Sequence, residues 1–265
     1  MAELYNKEKE GTLHPSDSFL HPEIFPTVWC PGCGIGTAAY TLFEAIKEAD
    51  ILKKDMQIVS GIGCTGKIAE SVRFKSYSIT DGKVVDFAIQ LKHKNPGLKV
   101  CVFLNNADIL LSGAEQLIEA GKKKKNLIVI FINNFIYAVS QDRAFPLTPF
   151  MRKSAGNEFE LPFNIPGMAI SSGADYVARW TPIQAGWIKD SFREAFSLTG
   201  LAVIEVISPC LIYEATSGRI LDAVDRLKFY NDNSEINFRA KGESLDIRLQ
   251  KKIITGKFKI PEDLN

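Results

Sequence analysis

The chain has 265 residues, a length for one large or two small domains, and 46% of them are hydrophobic, ample for a sizeable core. Lys and Arg number 32 against 31 Asp and Glu, a net charge of +1, so no bulk field draws the chain to nucleic acid or an anionic membrane. The longest apolar runs, such as residues 127–132, are far short of the roughly 18 to 20 residues of a spanning helix, and the charged residues 1–10 lack the apolar stretch of a secretion signal. No nucleic-acid partner, no membrane insertion and a cytoplasmic location are therefore expected. Five cysteines, two of them in Cys30-Pro-Gly-Cys33, argue against a disulfide framework and for a metal or redox role in a reducing compartment.

Residues 1–28 hold Pro15, Pro22 and Pro26 without periodicity and read as an N-terminal arm lying on something larger. Behind Gly34, the residues Ala38, Ala39, Leu42, Phe43 and Ile46 recur at helical spacing, so a helix starts directly after the Cys-x-x-Cys. Met56-Gln-Ile-Val-Ser60 reads as a buried strand feeding a Gly-rich turn at residues 61–66 and a second helix. Residues 84–94 read as a helix closed by Asn95-Pro-Gly97. Residues 99–104 and 126–132 read as strands separated by a helix at 113–121, which makes a parallel β-α-β unit. The Lys122-Lys-Lys-Lys125 run reads as a solvated helix end. Further on, 145–149 and 161–166 read as loops, 169–177 as a short helix and strand, and 182–197 as a helix. A strong buried strand at 201–207 ends in Ser208-Pro-Cys210. The repetition of strand and helix predicts an α/β fold, a mostly parallel sheet flanked by helices. The more polar residues 214–265 read as a C-terminal tail that packs on a partner subunit.

Cys30 and Cys33 can converge on one metal because two intervening residues let both thiolates point the same way, yet zinc, iron-sulfur and dithiol chemistry all begin with this spacing. Cys64 sits in the Gly-rich turn at one strand's end and Cys210 at the end of another. Loops at the strand ends of a parallel sheet gather on one edge, where ligands bind. Cys101 lies inside a strand and reads as a small buried thiol. Four unrelated thiols, a structural zinc and an iron-sulfur cluster all remain open from these residues alone. A zinc-stabilised nucleotide-binding module is disfavoured by the lack of a G-x-G-x-x-G or P-loop sequence.

Trp29-Cys-Pro-Gly-Cys-Gly34, Ser60-Gly-Ile-Gly-Cys-Thr-Gly66, Asn133-Asn134-x-x-Tyr137 and Ser208-Pro-Cys210, in this order from about residue 25 to 213, resemble the β subunit of 2-oxoacid:ferredoxin oxidoreductases. The resemblance implies a thiamine diphosphate-binding (PP-type) domain over residues 29–213 and a [4Fe-4S] cluster on Cys30, Cys33, Cys64 and Cys210. It also implies the diphosphate half of a thiamine diphosphate (ThDP) and Mg²⁺ site, with Gly63, Thr65, Asn106, Asp108, Asn134, Ile136, Tyr137 and Ser140 as cofactor-binding candidates. The pyrimidine half would lie on a separate α-type chain. Further implied partners are γ/δ-type subunits, ferredoxin or a ferredoxin-like subunit, and coenzyme A. The implied reaction is oxidative decarboxylation of a 2-oxoacid to an acyl-CoA, with electrons leaving through the cluster; no catalytic residue is assigned on this chain. Trp29 would shield the cluster from water.

The sequence departs from that family in its phosphate loops. The family's Gly-Asp-Gly-Asp is replaced by Asn105-Asn-Ala-Asp108, with Asn106 at the position of the Mg²⁺-binding aspartate. An amide oxygen brings no charge to the metal, and Ala107 adds a side chain where a glycine lets the backbone approach a phosphate. Asn134 and the Ile136 carbonyl match the family's remaining ligands. The family's Thr-Gly-Gly-Gln becomes Ser140-Gln-Asp-Arg143, and its His-Gly-Arg becomes Asp81-Gly-Lys83. Two readings follow: modified ThDP binding with Arg143 or Lys83 offsetting the lost charge, or a non-catalytic β-like subunit whose cluster serves electron transfer or structure. Unaltered cysteines beside altered phosphate loops point to electron transfer or assembly as the retained task. His14, His21 and His93 read as surface or interface residues.

Overall fold

The computed structural model describes residues 18–24, 27–135, 163–208, 210, 222–248 and 251–261, so the candidates Ile136, Tyr137, Ser140 and Arg143 lie outside the described residues. Strands β1 (Met56–Ser60), β2 (Lys75–Ser78), β3 (Lys99–Asn105), β4 (Ile128–Asn133), β5 (Tyr176–Trp180), β6 (Ala202–Ile207), β7 (Ser234–Ile236) and β8 (Ile253–Lys259) form one sheet in the order β2-β1-β3-β4-β6-β5-β8-β7. The first six pair in parallel throughout, and β1, β4, β5 and β6 are buried at every position, as a sheet covered on both faces requires. The predicted β-α-β unit is β3, a helix and β4, with Cys101 opposite Ile128. Strand β2, Lys-Ser-Tyr-Ser, has no apolar run to announce it because an edge strand buries little.

Helices α1 (Gly34–Glu48), α2 (Gly63–Ser71), α3 (Val84–Lys94), α4 (Ala114–Lys122), α5 (Ile165–Ser172), α6 (Ala185–Phe196) and α7 (Ala223–Asn233) accompany the sheet. Phe43 and Ile46 of α1 and Ile188 and Phe192 of α6 pack with Ile58, Phe103 and Ile130 on one face. Val85 of α3, Leu117 of α4 and Ala169 of α5 pack with Val102, Val129 and Val203 on the other. Helix α5 starts inside the stretch expected to be loop: Asn164 accepts from Gly167 N at 2.8 Å, and Pro166 sits in the first turn, where a missing N–H breaks no helical bond. The lysine run does end α4, but Lys124 donates to Gly173 O and pairs with Asp175 at 2.5 Å, tying the helix end to the turn before β5.

The C-terminal residues correct the expected tail. Strand β8 lies antiparallel against β5, with Ala178 opposite Lys257, and β7 runs parallel to β8. Tyr230, Ile247 and Ile253 join Phe135 and Ile207 in a third buried cluster. The described part of 214–265 therefore completes this chain's own sheet; its short, interrupted apolar stretches bury one side each and leave little pattern in the sequence. Of the N-terminal arm, residues 18–24 are described: Leu20 bridges Val72, and Phe19 stacks on Phe43 and Phe74 at 5.5 and 5.6 Å. No helix of the described residues is long and apolar enough to cross a membrane.

Candidate functional site

The chain leaves β1 for the edge strand β2 and returns on the other side of β1 as β3, so the C-terminal ends of β1 and β3 flank a topological switch point. Around that edge stand the four candidate thiols. The Cys30 turn closes with Cys33 N donating to Cys30 O at 2.9 Å, and Gly32 takes the φ of +81° that this tight reversal needs. Cys33 is the residue before α1, Cys64 lies in the first turn of α2, and Cys210 follows β6. Cys30, Cys33 and Cys210 are half-buried, and Cys101 is buried inside β3.

Two of the four thiols have their protonation shifted by their surroundings. Burial pushes the Cys33 thiol up, opposed by hydrogen bonds from the Ile35 backbone and Ser208, with the charges of Cys30 and Cys64 adding to the rise. Cys64 is exposed, yet the protein packed around one side of it raises its thiol first, and Cys210 and Cys30 raise it further. Among the described residues no three His, Cys, Asp or Glu side chains are grouped to hold a single metal ion. Four thiols are a donor set for an iron-sulfur cluster, in which each thiolate binds a different iron, as they are for a tetrahedral zinc. Trp29 is buried, and its Nε1–H bonds the Cys64 carbonyl at 3.1 Å, which holds the α2 start against the Cys30 turn.

Gly63, Thr65, Asn106 and Asp108 meet at the switch point. Asn105 caps the turn Asn106–Asp108 by accepting from Ala107 N at 2.8 Å and Asp108 N at 3.3 Å, and its Nδ2 donates to Ile62 O and to Thr65 Oγ1. Asp108 returns the bond, its Oδ2 accepting from Asn105 N at 2.9 Å and its Oδ1 from Ile62 N at 3.1 Å. Both carboxylate oxygens thus clamp the β1 loop to the β3 loop. Burial pushes the Asp108 carboxyl up to about 6 against those two hydrogen bonds. Asn106 is fully buried, its Nδ2 donating to Asn133 Oδ1 at 3.1 Å and its Oδ1 accepting from Asn134 N at 3.0 Å. Nearby, Asp81 accepts from Lys83 N, and Gly82 O accepts from Ser112 Oγ and Gln116 Nε2, which stitches this altered loop to the segment leading into α4.

A family model described as thiamine pyrophosphate enzyme, C-terminal TPP binding domain, matches residues 61–206. The chain is 34% identical to the 2-oxoglutarate synthase subunit KorB of Archaeoglobus fulgidus over 81% of its own length and 79% of the relative's. It is 32% identical to the KorB of Methanothermobacter marburgensis over 92% and 87%, and 31% identical to the 2-oxoacid:ferredoxin oxidoreductase subunit beta of Saccharolobus solfataricus over 85% and 76%. The chain belongs to the β-subunit family of 2-oxoacid:ferredoxin oxidoreductases. A solved 2-oxoglutarate:ferredoxin oxidoreductase from Magnetococcus marinus shares the fold of this β-type chain, with a TM-score of 0.76 and 22% identity over 94% of this chain and 85% of that one.

Sequence reasoning missed the support beneath the β-type chain's candidate site. Asn133 Nδ2 donates to Glu205 Oε1 at 2.7 Å, Glu205 Oε2 accepts from Arg179 Nε at 2.6 Å, and Arg179 Nη1 donates to Leu245 O at 2.8 Å. All three side chains are fully buried. The signal lay in Glu205 within Ala-Val-Ile-Glu-Val-Ile and Arg179 within Tyr-Val-Ala-Arg-Trp: a charge inside a buried strand demands a partner.

Proposed function

We propose that this chain is the cluster-bearing β-type subunit of a complex that oxidises a 2-oxoacid, with a [4Fe-4S] cluster on Cys30, Cys33, Cys64 and Cys210 passing electrons to ferredoxin or a ferredoxin-like subunit. The carrying observation is geometric: Cys30 and Cys33, Cys64, and Cys210 come from three separate segments to one sheet edge, where Trp29 ties the Cys64 carbonyl to the Cys30 turn and Ser208, two residues before Cys210, lies 3.8 Å from the Cys33 sulfur. α-type and γ/δ-type subunits, coenzyme A and a reducing, cytoplasmic setting complete the reading. The substrate class is the 2-oxoacids; 2-oxoglutarate is the substrate in the names of the KorB relatives.

The described residues fit Mg²⁺-bound diphosphate poorly. Magnesium favours charged oxygen ligands. The residue at the metal position is the neutral Asn106, whose amide already bonds Asn133 and Asn134, and both oxygens of Asp108 accept backbone N–H groups. When bound, ThDP supplies carbanion chemistry for decarboxylation, which belongs to the cofactor. This chain's part in the reading is different: it holds the thiolates, buries one side of them and keeps the β1 and β3 loops clamped. Its own diphosphate site takes up magnesium and ThDP weakly or not at all.

A second reading, catalysis with a modified ThDP site, is favoured by the match of the TPP-binding domain to residues 61–206. The complex purified without oxygen separates the two. About four irons per copy of this chain, beyond those carried by any ferredoxin-like subunit, with ThDP well below one per copy is the expected result. One zinc and no iron would sink the cluster assignment, and one tightly held ThDP per copy would establish the second reading.

A further inference from the structure

We infer that Ser208 donates a hydrogen bond from its hydroxyl to the Cys33 sulfur and thereby raises the reduction potential of the cluster held there; the inference rests on the cluster reading above. Ser208 directly follows β6 and is buried, and its backbone N–H donates to Asn133 O at 2.8 Å, which holds the residue at the sheet edge. Its Oγ lies 2.8 Å from Gly34 N and 3.8 Å from Cys33 Sγ. A hydroxyl has one proton and two lone pairs. The Gly34 N–H can only donate, so it occupies a lone pair and leaves the hydroxyl proton available. A cluster-bound Cys33 is a thiolate without a proton. In that state the proton between the two side chains can come only from Ser208.

Gly34 explains how the hydroxyl is aimed. A Cβ at Gly34 would lie 2.7 Å from Ser208 Cβ, 2.9 Å from Ser208 Oγ and 2.9 Å from Pro182 Cγ. Only a glycine lets the α1 start close over Ser208 and present its N–H to the hydroxyl. The sulfur ligands carry more negative charge in the reduced cluster than in the oxidised one, so an O–H donor at Cys33 stabilises the reduced form more. Ser208 touches neither substrate nor reacting atoms; it is a positioning residue that acts through Cys33.

Redox titration of the anaerobic complex, followed by electron paramagnetic resonance, tests this with wild type, Ser208→Ala and Ser208→Thr. Iron is counted first, at about four per copy of this chain beyond any on a ferredoxin-like subunit, and the signal followed is the one that Cys64→Ser removes. Loss of the hydroxyl in Ser208→Ala is expected to lower the reduced-to-oxidised ratio at the wild-type midpoint about tenfold, which is about 59 mV for one electron. Ser208→Thr, which keeps the hydroxyl, is expected to return to the wild-type potential. An unchanged potential in iron-replete Ser208→Ala overturns the inference and leaves the cluster reading standing, as does a Ser208→Thr potential equal to that of Ser208→Ala. Wild type without iron overturns both. If Ser208→Ala does not hold iron, Ser208→Cys, with a weaker S–H donor of similar size, decides: an intermediate potential supports the inference and a wild-type one overturns it.

Discussion

Arg179 and Glu205 stand directly opposite each other on β5 and β6, fully buried and joined from Nε to Oε2 at 2.6 Å. Neither charge could stay in a sheet interior alone, because desolvating an isolated buried ion costs on the order of several kcal/mol even after the protein relaxes around it. The second Glu205 oxygen turns the Asn133 amide, and the Asn133 Oδ1 then receives Asn106 Nδ2 and Phe135 N. On the other side, Arg179 Nη1 reaches the carbonyl of Leu245. One ion pair therefore links the C-terminal segment to the turn after β4, where Phe135 adopts a φ of +57°.

Removal of one partner should destabilise far more than removal of both. Glu205→Gln or Arg179→Met alone is expected to lower unfolding stability by about 3–5 kcal/mol, since each leaves a buried group without its counterpart. The double variant should lie closer to wild type than the sum of the singles. Denaturant unfolding in a double-mutant cycle measures this, and single losses under about 1 kcal/mol would refute the coupling.

Asp108 should give stability a pH dependence of unusual sign for an acid. Its carboxyl is pushed up to about 6 from an ordinary 3.8, so between those values the folded chain binds more protons than the unfolded one. Its contribution is greatest below about pH 3.8, falls as pH rises through the window and stays low above about 6. Thermal unfolding of Asp108→Asn across the same range should lack this component. An identical pH profile in wild type and variant would assign the titration elsewhere.

Gly61 and Gly186 should respond to alanine in opposite directions. A Cβ at Gly61 would sit 2.1 Å from both Asp108 carboxylate oxygens, so Gly61→Ala must break the clamp, with a loss of about 1–3 kcal/mol. Nothing lies within 4 Å of a Cβ at Gly186 in α6, and Gly186→Ala should gain up to about 1 kcal/mol. Melting temperatures of the two variants check the contrast.

Asn106→Asp should exchange stability for metal affinity. The carboxylate places an unpaired charge at this fully buried metal position and has no N–H for Asn133 Oδ1, so the variant without magnesium should lose on the order of several kcal/mol. Calorimetric titration with Mg²⁺ and ThDP is expected to show binding at least about tenfold tighter than wild type, by analogy with a charged hard-oxygen ligand. No gain would mean that the neutral amide is not what weakens the site.

Cys101→Ala should leave iron content untouched. The Cys101 thiol donates to Met56 Sδ at 3.7 Å inside the core, and burial pushes it up to about 12, so it stays protonated. Cys64→Ser should instead lower the iron count of the purified complex. Equal iron in all three proteins would remove Cys64 from the ligand set.

Much of the fold was legible because the five inner parallel strands of a covered sheet are buried on both faces, which leaves continuous runs such as 99–104 and 201–207. The C-terminal strand β8 was not, since Ile253, Thr255 and Gly256 are buried while their neighbours stay partly exposed, and no run results. At the site, the cysteines were legible from spacing and resemblance, and Asn106 from its place in a known motif. Its hydrogen-bond partners were not, because Asn133 and Asn134 lie 27 and 28 residues further along and meet it only across the sheet.

By itself the sequence determined the α/β class, the burial of Cys101 and the set of four candidate thiols, because local periodicity and motif spacing act over a few residues. Only the tertiary structure decided that the C-terminal residues complete the sheet and that Asp108 is a clamp between two loops. It also decided that Ser208 holds its hydroxyl between Gly34 and Cys33. These depend on which strand ends become neighbours, and long-range pairing is set by packing of the whole core rather than by any local stretch of chain.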